Sequence, residues 1–225
     1  MSKKIIKQIK CNECNTILDF EVYESVNVTL QPTLKEKVLN DSIYLLECSE
    51  CGKKFYLSYP FLYNDMDSGY MINLNNSNNK EEEIQTFRDL VANINKEMKD
   101  TFGDISYKYR SVDDIEILRE KIRIFDRNLD DRIIELYKYE FIVNGYDKEL
   151  DMLDDILFVN TDGSMECLFV LFEKDVVDNV RMIAFDEMEY MRLEKEFEYE
   201  IEKYNDVVID LVWAQKVYNN VMVNS

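Results

Sequence analysis

The chain has 225 residues, 46% of them hydrophobic, a formal net charge of −19 and no histidine. That length builds one or two globular domains, and only 5 glycines and 2 prolines exclude a collagen-like or wholly disordered chain. So acidic a surface repels phosphate backbones and anionic lipid, which disfavours direct nucleic-acid or membrane binding; the missing histidine removes every mechanism that needs an imidazole base.

The charge is uneven. Residues 1–75 hold 8 Lys and Arg against 10 Asp and Glu, so nearly all the excess acid lies in the later part. An acidic binding face, if the chain has one, belongs there. No apolar run reaches the length of a membrane span, and the lysines at Lys3, Lys4, Lys7 and Lys10 are not followed by the apolar region of a leader. The expected location is the cytoplasm, where paired cysteines favour metal over disulfides.

Ile5 to Lys10 alternates loosely and predicts a strand running into Cys11-Asn12-Glu13-Cys14. Leu18 to Tyr23 alternates cleanly and continues through Val26, Val28 and Leu30, as a half-buried strand does. Pro32 occupies a helix-start position, Leu34, Val38 and Leu39 give a short apolar stripe, and Asn40-Asp41 closes it. Ile43 to Leu46 enters Cys48-Ser49-Glu50-Cys51-Gly52, and Phe55 to Leu57 leaves it.

Two Cys-x-x-Cys pairs on separate hairpin tips are the ligand set of a four-thiolate zinc ribbon. Two intervening residues let both sulfurs of a pair reach one tetrahedral ion while backbone N–H groups point at the thiolates. The 33 residues between Cys14 and Cys48 exceed the usual ribbon spacing, so the ribbon carries an inserted strand and short helix. Cys11, Cys14, Cys48 and Cys51 are therefore the expected ligands of one structural Zn²⁺. Four thiolates fill the tetrahedron and leave no position for a catalytic water.

Tyr59-Pro60-Phe61-Leu62-Tyr63 reads as an extended aromatic segment that covers the ribbon and packs it onto a second domain. Asn64 to Gly69 is a turn without the spacing or closing glutamate of a calcium loop, and Tyr70 to Leu74 is another strand. The polar tract 75–83 is the best linker, followed by a helix marked by Ile84, Phe87, Leu90, Val91 and Ile94 and ended by Gly103.

Tyr107 to Arg110 is a short strand, and Ser111 to Asp114 is a capping-box start for a helix marked by Ile115, Leu118, Ile122 and Phe125. Another helix starts near 128–131 and stops at Gly145. Its Asp130, Asp131 and Glu135 could in principle form an acid/base set, although carboxylates at a helix start ordinarily serve the dipole. Ile156 to Val159, a turn at Asp162-Gly163 and Met165 to Phe172 form a hairpin, and 176–185 adds a strand. Cys167 sits inside that apolar pattern as a small hydrophobe. From Asp186 a long helix runs through Tyr190, Leu193, Phe197 and Ile201 to Leu211, with a break near Asn205. Glu194, Glu196, Glu198, Glu200 and Glu202 spread around it.

The expected class is α+β: an N-terminal zinc ribbon with an inserted short helix over 1–75, a linker and helix over 76–103, and an acidic helical and antiparallel-sheet domain over 104–225. The chain resembles the CpXC family of bacterial and archaeal proteins, named for two Cys-Pro-x-Cys knuckles. The resemblance rests on Tyr23-Glu24-Ser25-Val26-Asn27-Val28-Thr29, on Pro32 to Lys37, on Cys51-Gly52 and on Tyr59 to Met66. Arg119 to Tyr137 is similar to the family's helical extension. Neither knuckle keeps its proline, the positions being Asn12 and Ser49; proline there only stiffens the turn, and the four sulfurs remain.

No Gly-rich phosphate loop, Gly-x-Ser-x-Gly elbow or histidine-containing nucleophile arrangement is present. These features point to a non-enzymatic zinc-binding protein acting through protein–protein interaction, with a basic partner and, as a specific form, an inhibitor or immunity-type role. Two alternatives stay open: a metal-dependent enzyme using carboxylates alone, and a nucleic-acid-associated ribbon.

Overall fold

The computed structural model describes residues 2–75, 79–102, 107–145, 153–160, 167–173, 180–204 and 206–224. The chain is α+β and divides into two compact units, Met1–Ile115 and Glu116–Ser225.

In the first unit, β1 (Lys3–Lys10) and β2 (Ile17–Asn27) form an antiparallel hairpin. Leu18, Phe20, Val22 and Val26 of β2 are buried while Asp19, Glu21 and Glu24 face water, the period-2 pattern that fixes strand register. The short helix α1 (Thr33–Leu39) buries Leu34 and Val38 and ends at Asn40. Asp41 then takes a left-handed φ of 65°, which Asp tolerates better than most residues. β3 (Leu45–Glu47) and β4 (Lys54–Tyr56) form a small hairpin, and β5 (Phe61–Asp65) and β6 (Tyr70–Leu74) a third. β5 returns beside β2 in parallel.

A long helix, α2 (Lys80–Phe102), leads to β7 (Lys108–Val112), which pairs parallel with β6 and completes a sheet in the order β1-β2-β5-β6-β7. Parallel neighbours need a crossover of this kind. The polar tract read as a linker thus enters a crossover helix, and the strand expected to open the region after residue 104 joins the first unit's sheet. α2 lies on its unit by one stripe: Phe87 is buried, Ile84, Val91, Ile94 and Met98 are half-covered, and Leu90 is 42% exposed. Ser111 remains in β7 rather than capping the next helix.

The aromatic segment after β4 contributes to this unit's own core. Tyr59 meets Tyr44 at 5.0 Å and Phe20 at 6.0 Å between ring centroids, its hydroxyl donates to the Ile43 carbonyl at 3.1 Å, and Tyr63 stacks on Tyr70. Edge-on and offset contacts of this sort add to simple burial.

The second unit pairs β8 (Leu153–Asn160), β9 (Cys167–Glu173) and β10 (Val180–Ala184) antiparallel, in the order β10-β9-β8. The expected Asp162-Gly163 turn lies outside the described residues. Helices α3 (Ile115–Asp126) and α4 (Asp131–Glu140) are followed by a π-helical turn, Phe141–Gly145. Phe158, Phe169, Phe185 and Tyr137 form one aromatic cluster, with Tyr137 and Phe169 at 4.9 Å. The C-terminal helix is in fact two, α5 (Glu187–Ile201) and α6 (Leu211–Asn224). Asp210 accepts the Trp213 N–H at 2.8 Å and so restarts the helix with the side-chain cap an N-terminus requires. α4 packs against α5 and α6.

Candidate metal centre

The four expected cysteines converge. Cys11 and Cys14 occupy the turn between β1 and β2, and Cys48 and Cys51 the turn between β3 and β4. The two turns repeat each other bond for bond. Cys11 N–H donates to the Thr16 carbonyl at 2.8 Å, as Cys48 N–H does to that of Lys53. Asn15 N–H donates to the Cys11 carbonyl at 3.0 Å, and Gly52 N–H to that of Cys48 at 2.9 Å. The residue after each second cysteine takes a left-handed turn, Asn15 at φ 64° and Gly52 at φ 70°, the conformation Gly and Asn adopt most cheaply.

All four Sγ atoms lie within 4.8 Å of one another. Cys11 and Cys51 are 3.7 Å apart and Cys14 and Cys48 3.5 Å. A tetrahedral ion with Zn–S bonds of about 2.3 Å sets its sulfurs about 3.8 Å apart, whereas a disulfide needs about 2.05 Å; none of the four is in a disulfide. Donor chemistry and spacing therefore both fit a thiolate-bound metal. Cys11 and Cys48 are buried, and Cys14 and Cys51 form the solvent side.

The sulfurs are electrostatically unequal. The Thr16 hydroxyl, 3.2 Å from Cys14, with a backbone contribution from the same residue, pulls the Cys14 thiol down to about 6. A backbone hydrogen bond from Lys53 favours the Cys51 thiolate, but desolvation and the three neighbouring sulfurs outweigh it and push Cys51 up to about 12. Successive negative charges in this space repel, and a central cation reverses that penalty.

Other residues weighed from the sequence have different duties. Asp65 is buried, pairs with Lys35 at 3.4 Å and accepts the Ser68 N–H at 3.1 Å, so the turn after β5 is structural. Asp130 caps α4 through the Arg132 N–H and holds the Arg132 guanidinium at 2.6 Å. Cys167 is buried as expected, and burial pushes its thiol up. Of the α5 glutamates, Glu196 pairs with Arg192 and Glu200 with Lys203, while Glu194 and Glu198 face water. Among the described residues, the cysteine set is the one cluster of metal-ligating groups.

Asp131 and Glu135 belong to a buried charge network that sequence reasoning missed. Lys121 Nζ lies 3.2 Å from Asp131 and 2.9 Å from Glu135; Lys138 Nζ lies 2.6 Å from Glu120 and 3.1 Å from Glu135. All five are at most 3% exposed. Glu120 Oε1 also accepts the Phe158 N–H at 2.6 Å, while Oε2 is buried and has no hydrogen-bond partner among the described residues. Such a set, in which each of the three carboxylates is paired with a buried lysine, is built as an internal scaffold.

Fold and site together define an α+β protein built on a zinc-ribbon-like pair of knuckles with a four-cysteine metal-binding cluster. The chain belongs to the CpXC family: the family model described as "CpXC protein" matches residues 9–138, more than half of the chain, from before the first knuckle into the last turn of α4. No curated protein and no solved structure matches it.

Proposed function

We propose that the protein binds one structural Zn²⁺ through Cys11, Cys14, Cys48 and Cys51 and acts, without catalysis, by binding another protein. The observation that carries this reading is the closure of the donor set by four sulfurs at tetrahedral spacing. An ion so enclosed has no vacant position for water or substrate, and soft thiolates in a tetrahedron suit zinc. The ribbon then serves as a rigid platform, and the acidic second half offers the face for a basic partner. An inhibitor or immunity-type role follows naturally, because complementary charge speeds the capture of a basic enzyme. The carboxylate-only enzyme loses support from Asp131 and Glu135, both tied up by buried lysines.

The test has two parts. Elemental analysis of gently purified protein returns one zinc per chain; no zinc removes the metal half of the proposal. Affinity capture from the native cell retains a basic protein at ordinary salt and releases it at high salt. Recovery of no partner at ordinary salt removes the other half.

A further inference from the structure

In the β8–β10 sheet, residues directly opposite one another share a face. Val159 and Leu157 sit opposite Leu168 and Val170, which sit opposite Ala184 and Met182. This face is apolar at each of those positions, and it opens toward the sheet edge: Leu157 is buried, Leu168 and Val170 are half-buried, and Met182 is 66% exposed. At the end of β9 and β10 it runs into a groove of about 1030 Å³ floored by Leu129, Cys167, Phe185 and Tyr190. Among the described residues that line it, Glu187 and Glu194 are exposed carboxylates of α5, and Asp126 and Arg127 follow one another at the end of α3. Met191 of α5 also lines the groove and is 56% exposed, and Met188, one turn earlier on the same helix, is 74% exposed.

Scattered exposed apolar residues need no explanation, but a contiguous face does. Thioethers are flexible and polarisable and recur on surfaces that accommodate a partner segment. Charge selects the occupant. A chain of net charge −19 resists meeting a second copy of itself through an acid-rimmed face, whereas the same rim attracts cationic side chains. We propose that the outer face of β9 and β10, continued into the groove beside α5, docks a basic segment of a partner protein. Its apolar side chains lie on the sheet and in the groove, and its lysines or arginines meet Glu187 and Glu194. This rests on the protein-binding reading above and gives it a place on the molecule.

The experiment uses the full zinc-loaded chain, labelled on its methionine methyls, and an eight-residue synthetic peptide of alternating lysine and leucine. Controls are the glutamate–leucine and lysine–serine peptides of equal length. The expected result is selective shifts of the Met182, Met188 and Met191 methyls, with binding at least tenfold tighter than to either control and weakening as salt rises. The surface variant Glu187→Gln/Glu194→Lys weakens binding at least tenfold with an unchanged spectrum elsewhere. Shifts confined to other methionines, equal binding by the variant, or a concentration-dependent dimer broadening these same methyls overturns the proposal. Capture from the native cell with wild type and variant in parallel separates this site from the broader reading. A partner held equally by both refutes the groove and leaves protein binding intact, whereas a wild type that retains nothing refutes protein binding itself.

Discussion

Glu120, in the middle of α3, accepts the Phe158 N–H of β8 at 2.6 Å. β8 is an outer strand of its sheet, so a helix carboxylate satisfies a backbone group that would otherwise be an open pairing edge. The carboxylate is fully buried. Desolvation, with the nearby Glu135, raises its pKa above the ordinary value although Lys138 and Lys121 oppose the shift.

The sign of the resulting pH dependence follows. A carboxyl whose folded pKa is raised holds its proton to higher pH when folded than when unfolded. Its contribution to stability is whole below the ordinary value of 4.5 and declines as pH rises through the folded value. Glu120→Gln keeps the acceptor for Phe158 without the charge. Denaturant unfolding from pH 4 to pH 9 then shows a flatter profile for the variant, and equal or greater stability at the alkaline end. A variant markedly weaker than wild type at pH 8 refutes this.

Lys121→Met leaves Asp131 and Glu135 without the cation that bridges them. Breaking one side of a buried ion pair costs about 3–5 kcal/mol. The expected readout is a fall of that size in the free energy of urea unfolding. Lys7→Met, on the exposed strand β1, changes it by less than about 0.5 kcal/mol.

Metal uptake expels protons. Cys51 is pushed up to about 12, so its thiol enters the ligand set as thiolate only by surrendering its proton to solvent. Calorimetric zinc titrations near pH 7, in buffers of differing ionisation enthalpy, give a heat that depends on the buffer. Thr16→Val removes the hydroxyl that lowers Cys14, and protons then compete better for that sulfur. Followed by a chromogenic chelator during acidification, the variant releases its metal at higher pH than wild type. An unchanged midpoint contradicts the assignment.

The two knuckles predict each other's tolerance. A Cβ built on Gly52 meets nothing within 4 Å, and the sole obstacle is a φ of +70°. Asn15 shows that asparagine accepts the equivalent turn. Gly52→Asn therefore retains metal affinity and melting temperature, while the β-branched Gly52→Val costs about 1–2 kcal/mol. Thermal melts of the metal-loaded variants distinguish them.

The convergence of the four cysteines was the most legible part of the sequence, because two-residue knuckles between alternating strands impose their geometry locally. The crossover through α2 was not legible, since nothing local distinguishes a polar linker from the entry to a helix that must return a strand in parallel. The buried network left one trace. Ile117 and Ile124 stand seven apart, off the stripe of Leu118, Ile122 and Phe125, and they bracket Glu120 and Lys121. A second apolar stripe signals a helix covered on more than one side, so the charges it brackets must be buried and paired. The division of the C-terminal helix was foreshadowed at Asn205, and Asp210 supplies its cap.

The parallel pairing of β2 with β5 has a consequence for how the molecule is made. Both pairs of sulfur ligands leave the ribosome before β5, β6 and β7 do, so the clasp can shut while most of the five-stranded sheet is still unsynthesised. Closing a chain segment early reduces the entropy that later, distant pairings must overcome. For this chain, a metal captured by the two knuckles before β5 emerges would shorten the interval in which unmated strands invite aggregation.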